Sequence, residues 1–441
     1  MITSLRNVIQ QWRRTVRWAK MPIVRQPLRH ALHHSIITWE RGHVRAAVIE
    51  LGEGAAELLG VSVVPVHGIG GTHHPDVDRW FAGCDEALTV AEDMTALTGR
   101  KWVPNQVTMC VSSEITRSLP VTVTRVRKAA DQPISFEELG ILLQRCYRRA
   151  QDLIDGGGRA SEDIVWGTVT ELRLDGQRVP YPLGLRGETL EARVHFCVAP
   201  LEWLRALEVV AERLEVGLTG IIPENVVYAS ALGDLPALLI LLDEHHTSIS
   251  LVHGGQLQWS TLVPVGEKEI TGGTAEALEL QGRQADLLMR AYRSRQLSHG
   301  VEQALARAYW AELRRWMYTM ADGVTAIHGS ERPNGDAAEP LPATVYFADI
   351  SRRAPEAFPS LGTPFWERCL PFERCPEPVA LSVSTVRDVL DCTTQASGPA
   401  FLLLRALARY VAQLNAPGDN LDRTLAEMIR WRRGMPSAQS R

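Results

Sequence analysis

The sequence predicts an α/β fold of more than one domain, built from two similar halves. Three observations predict it. At 441 residues the chain is too long for one compact core and long enough for two or three. Two separate stretches each hold three successive short β runs, followed by helix and strand. A short apolar helix, VVYASAL, lies between them.

Composition is that of an ordinary soluble protein: 45% hydrophobic, 22% charged, net charge −4. That balance gives nucleic acid no electrostatic reason to bind. The seven cysteines (Cys84, Cys110, Cys146, Cys197, Cys369, Cys375, Cys392) are scattered, odd in number and free of any CxxC pair, which suits buried thiols in a reducing compartment. No run of about eighteen apolar residues predicts a spanning helix. The N-terminus lacks the apolar core and small-residue cleavage site of a secretory signal, so a cytoplasmic location is expected.

The elements follow in order. From Met1 to Met21, residues Ile2, Leu5, Val8, Ile9, Trp12, Val16 and Ala19 share one side of a helix. Arg6, Arg13, Arg14, Arg17 and Lys20 lie on its flanks or opposite side, and Pro22 ends it. SIITW, HVRAAVIEL and ELLGVSVVPV then read as a meander, and Asp76 to Thr98 as helix. QVTMCVSS and LPVTVTRVR are strands. Ser135 caps FEELGILLQRCYRRAQDLI, with Glu138 at capping-box spacing. IVWGTVTELRLDG is strand pair, LEARVHFCVAP strand, LEWLRALEVVAERL helix and VGLTGIIPEN strand. PALLILLDEHHTSISLVHGGQLQWSTLVPV holds the second meander, with HGGQ as a hairpin turn. Helices run from Gly273 to about Tyr318, a polar Pro-rich linker follows, TVYFADI is a late strand, and GPAFLLLRALARYVAQL is a buried late helix. LDRTLAEMIRWRR is a last short amphipathic stretch.

This element order resembles the actin-like (ribonuclease H-like) two-domain fold, here with a small inserted α+β domain. Three phrases are similar to the bacterial division protein FtsA: LDGQRVPYPLGLRGETLEARVHF, GLTGIIPENVVYASAL and STLVPVGEKEIT. The resemblance runs from about Ile36 to Leu414. PilM of pilus assembly shares the architecture, and the PYPLGLRGETLE loop favours FtsA. The resemblance implies a division of the chain into 1–30, basic helix and linker; 31–105, domain 1; 106–182, inserted domain; 183–225, return to domain 1; 226–414, domain 2 with a reduced helical subdomain at about 273–328; and 415–441, an amphipathic tail.

In this fold two β-hairpin tips present glycine-rich backbone to nucleotide phosphates. The first tip reads TWERGHVR: Thr38 stands where an Asp belongs, and Gly42 is the remaining turn glycine. The second reads DEHHTSIS: Asp243 is retained and Thr247 corresponds to one of the threonines, but His245 and His246 occupy glycine positions. Each side chain forced into left-handed geometry costs about 1–2 kcal/mol. Gly266 follows in VPVGEKEIT. On the adenosine side Asp286 is a conservative stand-in within ADLLM, Met289 replaces a lysine, and VYFADIS has no glycine. The candidate nucleotide contacts are therefore Gly42, Asp243, Thr247, Gly266 and Asp286, with ATP and magnesium the cofactors they would take. The eroded loops predict weak or absent nucleotide binding and a pseudo-ATPase.

The histidine groups (His30, His33, His34; His73, His74; His245, His246) lack a helix face that gathers three with a carboxylate, so no metal site is predicted. The first helix has the narrow apolar face and basic rim of an interfacial anchor. Leu5, Val8, Ile9, Trp12 and Val16 would enter a membrane surface, with Arg13, Arg14 and Arg17 at the headgroups. Each basic side chain there is worth about 1 kcal/mol. The alternative is packing against the body or a partner helix. The C-terminal stripe Leu421, Leu425, Met428 and Ile429 stands where FtsA-like proteins keep their own membrane helix, but is shorter.

The resemblance thus implies a division scaffold on the cytoplasmic membrane face. Its partners would be other division proteins, such as an FtsZ-like tubulin homologue or membrane division proteins, with self-association in rows. Two alternatives stand beside it: an ATP-hydrolysing FtsA-type filament protein, and a PilM-like pilus or secretion assembly platform that binds a short peptide from a membrane partner.

Overall fold

The structure is a computed structural model that describes residues 32–40, 42–66, 75–157, 161–330, 340–350, 354–416 and 421–433. The predicted amphipathic helix of Met1 to Met21 lies outside them. In chain order the strands are β1 (Leu32–Glu40), β2 (His43–Leu51), β3 (Ala56–Pro65), β4 (Gln106–Val111), β5 (Arg117–Val126), β6 (Glu162–Leu174), β7 (Gln177–Arg178), β8 (Thr189–Pro200), β9 (Gly217–Pro223), β10 (Ala237–Leu242), β11 (Thr247–His253), β12 (Gln256–Val263), β13 (Thr344–Asp349), β14 (Glu377–Ala380) and β15 (Val389–Asp391).

They form three sheets. The first has the order β15-β3-β2-β1-β4-β9 and the second β12-β11-β10-β13-β14. In both, an antiparallel meander is extended by two parallel strands beside its first member. The two halves therefore share one topology, which is the actin-like pattern. The central strands are apolar throughout, as β10 (ALLILL, every residue buried) shows, because both sheet faces are covered. The third sheet, β5-β8-β6-β7, is antiparallel.

Helices are labelled here as α1 (Val77–Thr95), α2 (Phe136–Gly156), α3 (Leu201–Arg213), α4 (Glu224–Ser230), α5 (Glu267–Ala277), α6 (Gly282–Arg293), α7 (His299–Ser330), α8 (Ala357–Ser360), α9 (Phe365–Cys369), α10 (Leu402–Asn415) and α11 (Leu421–Arg432). Asp76 caps α1 by accepting from the Arg79 amide at 3.1 Å. Ser135 caps α2 by accepting from the Glu138 amide at 3.2 Å. The Glu138 carboxylate instead takes the buried Arg127 guanidinium, at 3.0 and 3.1 Å.

The boundaries drawn from sequence shift in three places. Strand β4 belongs to the first sheet, paired parallel with β1 and β9, while β8 belongs to the third, so the inserted sheet spans Arg117 to Pro200 instead of 106–182. The segment given to domain 2 up to residue 414 returns to domain 1 before its end: β15 pairs with β3, and Leu403, Leu404, Leu407 and Val411 of α10 are buried in the first core. The C-terminal stripe is no free tail. Leu421, Leu425, Met428 and Ile429 are buried with Leu139, Leu143 and Phe196 in the core of the inserted domain. The period that suits a membrane surface suits a sheet face equally, and here the sheet has it.

Asp422 ties these parts together. One carboxylate oxygen accepts from Thr168 Oγ1 and the Val169 amide of β6, both at 2.9 Å. The other accepts from Gln256 Nε2 of β12, also at 2.9 Å. Nearby, Ser118 Oγ meets Ser260 Oγ at 2.7 Å and His195 Nδ1 donates to the Gln258 carbonyl at 3.3 Å. The inserted domain is thus fastened to the edge strand of the second sheet. Asp422→Ala should leave the half-buried Val169 amide without that acceptor and lower the unfolding free energy by about 1–3 kcal/mol, measured by urea denaturation. Leu425→Ala should cost about 2–5 kcal/mol by the same assay.

Candidate functional site

The candidate site is the cleft between the two halves, where the hairpin tips β1–β2 and β10–β11 and the start of α4 come together. On the first tip Gly42 adopts φ +68°, the left-handed region that a side chain disfavours. Its carbonyl accepts from the Val66 amide at 2.6 Å, which pins the turn. Thr38 is fully buried and opposite Arg45 in the ladder. The buried Arg45 guanidinium lies 2.8 Å from the Glu40 carboxylate, both side chains being about nine-tenths covered.

The second tip, residues 243–246, is folded onto the N-terminus of α5. The Asp243 amide donates to the His246 carbonyl at 2.9 Å, closing the turn. The Asp243 carboxylate accepts from the Glu244 amide at 2.7 Å. The Asp243 and Glu244 carbonyls then accept from the Glu267 and Lys268 amides, at 2.9 and 2.8 Å. The Gly266 amide donates to the Glu269 carboxylate at 2.7 Å. These are the first amides of a helix, the groups that ordinarily hold an anion. Here all three are spent on the chain itself.

The contact leaves no gap. A Cβ built on Gly266 would sit 2.5 Å from the His246 nitrogen and 2.6 Å from the Asp243 carbonyl oxygen. What keeps a glycine at position 266 is this approach of backbone to backbone. His245, placed where a phosphate-binding glycine was expected, is held in the same network: Nδ1 faces Glu269 at 3.3 Å and Nε2 faces Lys268 Nζ at 3.3 Å. His246 is buried, with Nδ1 4.0 Å from Glu114 across the cleft.

Of the other candidates, Thr247 is fully buried, donates to the Val265 carbonyl at 2.7 Å and accepts from Trp316 Nε1 at 2.8 Å. Both sides of its hydroxyl are occupied by the core of the second half. Asp286 is exposed on α6, and Met289 is a core residue. The structure therefore brings Asp243 and Gly266 into contact, leaves Gly42 at the opposite tip, and directs Thr247 away from the cleft. His34 is buried on Thr108, and His33 stacks on Trp102 with ring centroids 3.6 Å apart. Among the described residues no three His, Cys, Asp or Glu side chains are placed to share a metal ion.

Sequence reasoning missed Glu224, the first residue of α4, which is only 3% exposed. It accepts from the Ser113 amide at 2.9 Å and from Ser112 Oγ at 3.3 Å. Burial first, then the charge of Asp243 and, more weakly, that of Glu40, pushes its carboxyl up to about 8. A signal existed: Glu224 is the one acidic residue in the otherwise buried run IIPENVVYAS. The cleft thus gathers Glu40, Glu224 and Asp243, with the fixed cation of Arg45 paired to Glu40.

No protein-family model matches the sequence, and the search of curated proteins found no match. Among solved structures, the PilM–PilN type IV pilus biogenesis complex is similar over 87% of this chain and 99% of that chain, with a TM-score of 0.57 and 13% identity. The ethanolamine utilization protein EutJ from Carboxydothermus hydrogenoformans is similar over 88% and 92%, with a TM-score of 0.38 and 11% identity. The cytoplasmic domain of EpsL, an inner membrane component of the type II secretion system of Vibrio cholerae, is similar over 55% and 79%, with a TM-score of 0.26 and 10% identity. The last two scores are too low to carry an argument. The first, together with the paired sheet orders, establishes the fold: this chain is an actin-like α/β protein.

Proposed function

We propose that this chain is a protein-assembly platform of the PilM type, whose actin-like body holds partner proteins and does not use ATP as a working cofactor. One observation carries the second part: the amides of Gly266, Glu267 and Lys268 are all donated to the chain's own carbonyls and carboxylate. A triphosphate would have to break those bonds and part a contact too tight for a Cβ. Supporting the first part, the likeness to the PilM–PilN structure covers 87% of this chain and 99% of that one, and it was solved as a complex. This favours pilus or secretion assembly over the division role and FtsZ-like partner that the FtsA resemblance suggested.

The state of Glu224 supports the same reading. In a nucleotide-using cleft, carboxylates meet metal and phosphate together. Here Glu224 is buried beside Asp243, and its carboxyl is pushed up to about 8, towards the protonated form. Attachment to a membrane surface is assigned to residues 1–21, through Leu5, Val8, Ile9, Trp12, Arg13, Arg14, Val16 and Arg17. Among the described residues no helix is long and apolar enough to cross a membrane.

Calorimetric titration with ATP and magnesium should give no saturable heat at micromolar concentrations, and clear micromolar binding abolished by Asp243→Ala would restore the working-ATPase reading. Glu224 supplies a pH test. Its folded pKa lies above the unfolded value of 4.5, so the folded state holds the extra proton and stability falls as pH rises from about 4.5 to about 8. Glu224→Gln should remove that decline: the variant exceeds the parent in denaturation midpoint at pH 8–9 and converges on it near pH 5. For the membrane, the full chain should pellet with anionic liposomes in low salt, and a chain lacking residues 1–21 should not.

A further inference from the structure

The first sheet has two unlike ends. At one, the β1–β2 tip carries Gly42 and faces the cleft. At the other, β1, β3, β4 and β9 all begin, and the described chain itself starts there, at Leu32. The nine residues of β1 put the two ends about 25–30 Å apart. The loop from α1 to β4, residues 96–105 (ALTGRKWVPN), runs across that far end.

Contacts within the chain fix the shape of this loop. After one 3-10 turn, Ala96–Thr98, Gly99 takes φ +106° and its amide donates to the Ala96 carbonyl at 3.0 Å. The Trp102 amide donates to Thr95 Oγ1 at 2.8 Å. The Trp102 ring stacks on His33 of β1, centroids 3.6 Å apart, and the Arg100 guanidinium lies 4.0 Å from the same ring. The loop is therefore tied to the first residues of β1.

Held in this way, it leaves its aliphatic side chains in water. Leu97 is 84% exposed and Val103 63%, and no large hydrophobic residue among those described is more exposed than Leu97. One such residue alone would mean little. Here two share a short loop with the half-buried Trp102 and the exposed Arg100 and Lys101. Aliphatic, indole and cation together are the side chains that suit the boundary between lipid and water. Lys101 is paired with Asp93 at 2.5 Å, which leaves Arg100 as the main cation the loop offers a headgroup.

Two observations select lipid as the occupant. Residues 1–31 lead into Leu32, so the stripe assigned above to a membrane arrives at this same end. Those residues hold seven basic side chains and no acidic one, in a chain of net charge −4. The remainder is thus acidic, and an anionic surface repels most of its faces. Secondly, the ten residues 22–31 can span about 30 Å, so the helix alone leaves the orientation of the body unset. A marginal anchor becomes a stable one when a second contact is added.

We propose that the loop 96–103 is a second membrane contact, in which Leu97 and Val103 enter the headgroup boundary and Arg100 meets anionic headgroups. The body is then held with its cleft facing away from the surface. This rests on the membrane attachment assigned to residues 1–21, and adds the orientation of what is attached.

The test uses the full chain with vesicles of phosphatidylcholine and phosphatidylglycerol in low salt. Leu97→Ser and Val103→Ser together should weaken vesicle binding about tenfold, and Arg100→Gln about fivefold. Because all three side chains are exposed, the variants should keep the parent's denaturation midpoint. Hydrogen–deuterium exchange should slow at residues 96–103 when vesicles are added, and stay unchanged at the cleft tips 40–43 and 243–246. Parental binding by the double variant, with no slowing at 96–103, would overturn the loop contact and leave the anchor at 1–21 standing. Slow exchange at 96–103 before vesicles are added, lost when residues 1–21 are deleted, would show the chain's own N-terminal segment on the loop and overturn lipid as its occupant. A full chain that does not pellet with the vesicles at all would sink the anchor, and this contact with it.

Discussion

The contact between Gly266 and the tip of the second hairpin governs the rest of the cleft. Backbone meets backbone there at a separation that excludes even a methyl group. In the resemblance drawn from sequence that tip is a phosphate loop, and a helix N-terminus and a glycine-rich tip hold an anion only by facing it. In this chain they face each other. Once the tip has closed, its carbonyls satisfy the helix amides and Glu269 satisfies Gly266. His245 and His246 are then free to be ordinary side chains, one in a surface network and one buried.

A cleft closed by its own groups has consequences for motion. Hinged actin-like proteins gain from opening because a ligand binds the closed form more tightly than the open one. On the proposed reading no such differential ligand enters the cleft, and nothing then drives the halves apart or together. The inserted domain reinforces this from the side: Ser118, His195 and Asp422 tie it to β12 in the second half while β6 packs on the first. These ties favour fixed surfaces over cycling, which is what the proposed platform role would use.

Much of the fold was legible in the sequence, because it is written in local periods. The short apolar runs of β1 to β3 and β10 to β12, the cap at Ser135, and the HGGQ turn each announce themselves within a few residues. What was illegible depends on partners far apart in the chain. The stripe Leu421, Leu425, Met428, Ile429 has the same period whether lipid or a sheet covers it, and only the structure shows Phe196 and Leu139 there. Thr247 matches a phosphate-loop threonine by position, yet Trp316, almost seventy residues away, claims its hydroxyl. Glu224, read from sequence within the strand VGLTGIIPEN, stands out only once Ser113 and Asp243 are seen around it. Gly266, singled out as a candidate nucleotide contact, is met in the structure by the backbone of Asp243 and His246.

Everything turns on whether phosphate can enter between residues 243–246 and the first turn of α5. Crystals of the full chain grown with a non-hydrolysable ATP analogue and magnesium would show it most directly. The expected map has the Gly266 amide still on Glu269, the Glu267 amide still on the Asp243 carbonyl, and no triphosphate between them. Phosphate oxygens accepting from those amides, with the tip swung away, would contradict the closed cleft.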